Sequence, residues 1–131
     1  MFGTFQQTTL RIEVNAPVEA IRDSLLQPRQ FKQWLWPQTF SAGLPDVLEK
    51  ETTFTGYVGP IKVQHRVADL SAQHVCLLLW EGIDGFHEWR WGDEWVQSRI
   101  EGISLLPINL AQSLNLFRLK RFLEQSYSSS Q

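Results

Sequence analysis

The chain has 131 residues, 43% of them hydrophobic and 20% charged, with a net charge of -2. That is the size and balance of one ordinary globular domain, and without a concentrated basic face it argues against a nucleic-acid partner. A single cysteine, Cys76, excludes an internal disulfide and suits a reducing compartment. The N-terminus has no signal-peptide pattern, and no apolar run nears the roughly 18 residues of a membrane span, so a cytoplasmic protein without membrane insertion is expected.

Residues 4–14 alternate Leu10, Ile12 and Val14 with Thr9, Arg11 and Glu13, the period-2 pattern of a half-buried strand. Pro17 and Glu19 then suit the first turn of a helix whose face carries Val18, Ile21 and Leu25. Pro28 restarts the chain into a second short helix over 29–35, presenting Phe31 and Trp34. A weakly marked strand follows near 38–43, and a second over 51–58 that Gly59-Pro60 turns. Residues 61–70 alternate cleanly, Ser71 to Gln73 makes a turn, HVCLLLWE follows, and Gly82 to Gly85 makes another turn. FHEWRW, a Gly92-Asp93 hairpin signal and EWVQSRIEGI complete the run. Connections this short require an antiparallel meander. Residues 107–125 form a last helix, with Pro107 at its first turn. Its polar residues Asn109, Ser113, Lys120 and Glu124 occupy a narrow sector, and its apolar arc includes Leu110, Leu114 and Phe117, so it is expected to bury most of its circumference. The tail 126–131 reads as disordered, leaving residues 1–125 as one domain.

Hairpin geometry assigns faces, because residues paired across an antiparallel ladder point the same way. A Gly92-Asp93 turn pairs Trp91 with Glu94, Trp89 with Val96 and His87 with Ser98. Across the Gly82–Gly85 turn, Trp80 falls beside His87, Leu78 beside Trp89 and Cys76 beside Trp91. A turn at Ala72-Gln73 sets His65 beside Trp80 and Val67 beside Leu78, with Ile61 and Val63 on the same inward face. The inward face is thus an apolar wall of Val67, Leu78, Trp89, Trp91 and Val96 crossed by a mixed row of His65, Trp80, His87 and Ser98. Leu114, Asn115 and Arg118 on the last helix face the same space. For the histidines two roles stand open: partners within the core, or contacts to a ligand. For Arg118, sheet contact, ligand contact and snorkelling to the helix edge all stand open. No third ligand at convincing spacing supports a metal site, and no cofactor is expected.

One strand, two short helices, six further strands and a long C-terminal helix: this order resembles the SRPBCC superfamily, also called START-like or helix-grip. NAPVEAIRDSLLQPRQFKQW is similar to the opening of that family, and HRVADL, LLLWEGIDGF and WGDEWVQSRIEGISLLP to its closing strands and last helix. The likeness spans residues 4–125 and is nearest to small bacterial polyketide cyclase/dehydrase-like members. It implies an α+β fold, a seven-stranded curved antiparallel sheet wrapped around the C-terminal helix, and a cavity for a hydrophobic molecule such as a lipid, polyketide or aromatic compound. The Rieske-dioxygenase branch of that superfamily does not fit a chain with one cysteine. The cyclases resembling this fold have no fixed motif to carry over.

Three functions remain open on this reading. One is a binding module for a hydrophobic small molecule. Another is an enzyme on such a molecule with His65 or His87 as general base. A third is an interaction module that dimerises through Trp95 and outward Leu77 and Leu79. Ser98 beside His87 lacks an orienting carboxylate and a nucleophile-elbow sequence, so nucleophilic catalysis is not supported.

Overall fold

A computed structural model describes residues 3–35 and 38–129, the side chains as far as Ser126. Trp36 lies outside the described residues. The elements run β1 (Thr4–Glu13), α1 (Val18–Leu26), α2 (Pro28–Trp34), β2 (Gln38–Phe40), β3 (Thr53–Val58), β4 (Ile61–Ser71), β5 (His74–Glu81), β6 (Ile83–Gly92), β7 (Trp95–Ser104) and α3 (Ile108–Ser129). They form one antiparallel seven-stranded sheet in the order β1-β7-β6-β5-β4-β3-β2, with α3 packed on β1 and β7. This is the expected helix-grip arrangement. Helix α3 runs to Ser129, past the end expected at residue 125 and into the segment expected as tail.

Local chemistry explains the helical layer. Pro17 precedes α1 in an extended conformation, and Pro28 opens α2 at its first turn, where a missing N–H costs nothing. The β6–β7 loop docks here: Asp93 Oδ1 accepts the Val18 N–H at 2.9 Å, while Val14 and Glu94 N–H groups bond Glu94 and Ala16 carbonyls. At the other end of the molecule's long helix, Lys120 donates to the Glu13 carbonyl and Glu124 accepts the Asn15 N–H, tying α3 to the end of β1.

The face assignments hold for β4, β6 and β7 and fail for β5. At the β6–β7 hairpin the two-residue loop is Asp93-Glu94, with Glu94 at φ 63°, one position later than expected. Trp91 therefore opposes Val96, Trp89 opposes Ser98 and His87 opposes Ile100. Each pairing moves by two residues, which preserves the face. The Ser71–His74 turn is as expected, but a β-bulge between Val67 and Asp69 leaves Ala68 unpaired, so Val67 meets Leu77 and His65 meets Leu79. One extra residue reverses the partner strand's faces beyond it. The next turn also differs: Glu81 takes φ 74°, the ladder closes around Gly82, and Leu77 opposes His87. Val75, Leu77 and Leu79 consequently point inward, whereas Leu78 and Trp80 point outward and are 39% and 40% exposed. The expected outward Leu77–Leu79 patch beside Trp95 does not form; Trp95 instead carries the Arg11 guanidinium 4.1 Å above its ring.

Helix α3 also departs from expectation. It buries a single stripe, Ile108, Gln112, Asn115, Leu116, Leu119 and Leu123, with the spacing of one helical face. Leu110 and Phe117 lie off that stripe and are 66% and 58% exposed. A helix resting on a sheet from one side can bury only the stripe that touches it, whatever the apolar content of its back.

The buried residues form two clusters. The larger joins α1, α2 and α3 to the sheet through Ile21, Leu25, Phe31, Trp34, Trp89, Trp91, Leu116 and Leu119. The smaller gathers Val63, Leu79, Ile83, Ile100 and Ile108. Full burial of each large apolar side chain contributes about 1.5–3 kcal/mol, so the larger cluster dominates stability.

Candidate functional site

Between the two clusters lies a cavity of about 300 Å³. Leu25, Phe31, Trp34, Phe54, Val75 and Trp89 line it from the larger cluster, and Val63, Leu79, Ile83, Ile100 and Ile108 from the smaller. Helix α3 supplies Leu110, Ala111, Gln112, Leu114 and Asn115. Leu110 and Leu114 line the cavity and are also exposed to solvent, which places the mouth on the N-terminal half of α3. No Asp, Glu, Lys or Arg is among the lining residues.

Aromatic contacts stiffen the walls. Trp34 meets Trp89 edge-on at 5.9 Å, and the Trp34 indole N–H donates to the Ser24 carbonyl at 3.0 Å. Phe54 stacks on His65 at 4.5 Å and 5°. His87 leans on Trp89 at 4.5 Å.

One wall is polar. His87 Nε2 lies 2.7 Å from Ser98 Oγ. Gln112 Nε2 lies 2.9 Å from the Ser98 carbonyl and 3.1 Å from Ser98 Oγ. Thr8 Oγ1 donates to Gln112 Oε1 at 2.9 Å. A chain of hydrogen bonds thus runs from β1 through α3 and β7 to β6. Burial lowers the His87 pKa to about 3, with the nearby His65 adding to the effect. Burial likewise lowers His65 to about 4, opposed only in part by backbone groups of Phe54 and Val63. His65 Nδ1 is buried without a well-formed hydrogen bond. Both rings are therefore neutral at pH 7.

Of the residues expected at the site, the structure brings His65, His87, Trp89, Ser98, Leu114 and Asn115 to the cavity wall. Val67, Trp91 and Val96 are fully buried in the core beside it and do not line it. Leu78 and Trp80 are on the far side of the sheet, displaced by the bulge at Ala68 and the tight turn at Gly82. Arg118 is drawn away from the cavity: its Nε donates to the Trp34 carbonyl at 2.9 Å and its Nη2 lies 3.5 Å from the Gln33 carbonyl, at the C-terminal end of α2. Those carbonyls have no partner within α2, and a cation suits that end of a helix. Arg118→Ala is expected to lower stability by about 1–2 kcal/mol in urea titration while changing affinity for any cavity ligand by less than about threefold. Residues not foreseen include Leu77, Leu79, Ile100 and above all Gln112. Gln112 falls one turn after Ile108 and one before Leu116, so its place on the buried stripe was available from spacing alone. Among the described residues no group of three or more His, Cys, Asp or Glu stands where it could hold a metal ion, and no helix is long and apolar enough to cross a membrane.

No family model matches the chain, and no curated protein matches it by sequence. Solved structures do match it in shape. A Chromobacterium violaceum protein is 16% identical, with a TM-score of 0.72 over 90% of this chain and 97% of that one. The Aha1 protein of Colwellia psychrerythraea, solved as a dimer, is 19% identical, with a TM-score of 0.63 over 91% of this chain and 96% of its own. DynU16, from the dynemicin biosynthetic locus, is 16% identical with a TM-score of 0.67 over 92% of this chain, which spans 48% of that protein. At such identities the likeness carries the fold alone. The chain has the helix-grip α+β fold, in which sheet and C-terminal helix face each other.

Proposed function

We propose that this chain binds a hydrophobic small molecule, aromatic or polyketide-like, in the cavity between sheet and α3. The observation that carries the reading is the cavity itself, about 300 Å³ between two buried clusters. Protein interiors are close-packed, and an unfilled space of this size forfeits dispersion contacts that a ligand would restore. Concave, mostly apolar sites with a few convergent polar groups are the usual form of small-molecule sites. The START-like resemblance and the fold shared with a dynemicin-locus protein point the same way. A general-base role for His65 or His87 has less support, since burial holds both pKa values far below neutrality.

The test uses the uncharged two-ring fluorophore 1-naphthylamine. Saturable fluorescence enhancement at one site per chain is expected, and Ala111→Trp, which fills the mouth from α3, should weaken it more than about tenfold. Absence of saturable binding, or binding untouched by Ala111→Trp, would overturn the reading.

A second reading, self-association, draws on the exposed Leu105, Leu110 and Phe117 and on the Colwellia structure being a dimer. Sedimentation velocity across a concentration series decides it: a single monomer boundary throughout removes it.

A further inference from the structure

We propose that the cavity selects uncharged ligands carrying a hydrogen-bond-accepting oxygen, held by the Nδ1–H of His87. This rests on the cavity being a ligand site and adds the chemical class of the ligand.

Proton positions follow from the partners. Gln112 Nε2 faces the Ser98 carbonyl at 2.9 Å and the Thr8 carbonyl at 3.4 Å, while its Oε1 receives the Thr8 hydroxyl, so the amide orientation is determined. Nε2 also lies 3.1 Å from Ser98 Oγ, which accepts there. The Ser98 proton is left to donate along the 2.7 Å contact to His87 Nε2. An imidazole nitrogen that accepts a hydrogen bond carries no proton, so the neutral ring holds its proton on Nδ1. Nδ1 has no hydrogen-bond partner among the described residues, and His87 keeps accessible surface on the cavity wall it lines. The Thr8–Gln112–Ser98 chain thus fixes a tautomer that presents a donor to the cavity.

Charge complementarity supplies the other half. No ionised side chain lines the cavity. The depressed pKa values of His65 and His87 keep those rings neutral at pH 7. A carboxylate or ammonium entering would shed its hydration with no counter-charge to meet it. A ketone, ether or ester oxygen sheds little and gains the His87 donor. For size, apolar cavities near 150 Å³ take up one benzene, so about 300 Å³ suits roughly two rings.

Three matched probes test this at pH 7.5 by calorimetry: 2-acetylnaphthalene, 2-ethylnaphthalene and 2-naphthoate. The ketone is expected to bind about tenfold tighter than the ethyl compound, and 2-naphthoate at least about a hundredfold weaker than the ketone. His87→Phe should bring ketone and ethyl compound within about twofold of each other. Ser98→Ala, which removes the hydroxyl that fixes the tautomer and leaves the His87 ring in place, should shrink the same preference and serves where His87→Phe folds poorly. Equal binding of ketone and ethyl compound, naphthoate matching the ketone, or a preference that survives both substitutions would overturn the donor assignment while leaving the cavity reading intact. Failure of all three probes would remove the cavity reading itself.

Discussion

Lowering the pH from 7 to 5 is expected to destabilise the fold by on the order of 4 kcal/mol, about 2 from each of His65 and His87. In the unfolded chain both rings titrate near pH 6.5, whereas in the fold burial holds them near 4 and 3. Between those values the unfolded state binds more protons than the native state. Stability therefore rises with pH across this window, is fully present above pH 6.5, and is lost as pH falls toward the folded values. This is the reverse of a histidine that gains an acidic partner. Urea midpoints measured at half-unit steps from pH 7 to 5 should fall steadily. His87→Gln, whose amide oxygen can accept from Ser98 but does not titrate, should reduce the slope by about half. A flat profile in the wild-type chain would mean that water reaches both rings.

Gly85→Ala is expected to cost at least about 3 kcal/mol and to leave little folded protein. Gly85 pairs with Gly102 directly across the β6–β7 ladder. A Cβ on Gly85 would lie 1.9 Å from the Glu101 carbonyl oxygen and 2.5 Å from Gly102 Cα. These are backbone atoms in the middle of the sheet, so no side-chain rotation relieves the clash. At Gly102 the nearest atom to an added Cβ is the Asp84 carbonyl at 2.8 Å, so Gly102→Ala should be the milder change. Circular dichroism and thermal melts of the two variants check the order. A Gly85→Ala protein as stable as wild type would contradict this strand pairing.

Much of the frame was legible because the signals were local. Alternation in 61–67 put Val63, His65 and Val67 inward, and a two-residue slip at the last hairpin left Trp89, Trp91 and Ser98 on the right face. Strand β5 was not legible. HVCLLLWE is apolar on both faces, so its alternation carries no direction, and its side depends on the registers of its two neighbours. The bulge at Ala68 has no mark in the sequence, and Glu81 in the left-handed region is not a residue that announces a turn. The same ambiguity affected α3, whose exposed Leu110 and Phe117 read like core residues. The buried Gln112 was hidden for the opposite reason: a polar residue gives no periodic apolar signal, although it organises the hydrogen bonds of the site.

The most direct test of a ligand site between sheet and helix is a methyl NMR titration with 2-acetylnaphthalene. Saturable one-to-one shifts are expected at Leu77, Leu79, Ile83 and Ile100, which line the cavity, with Leu78 on the outer face unmoved. Shifts at Leu78 with Leu77 and Leu79 silent, or no saturable shift at all, would contradict it.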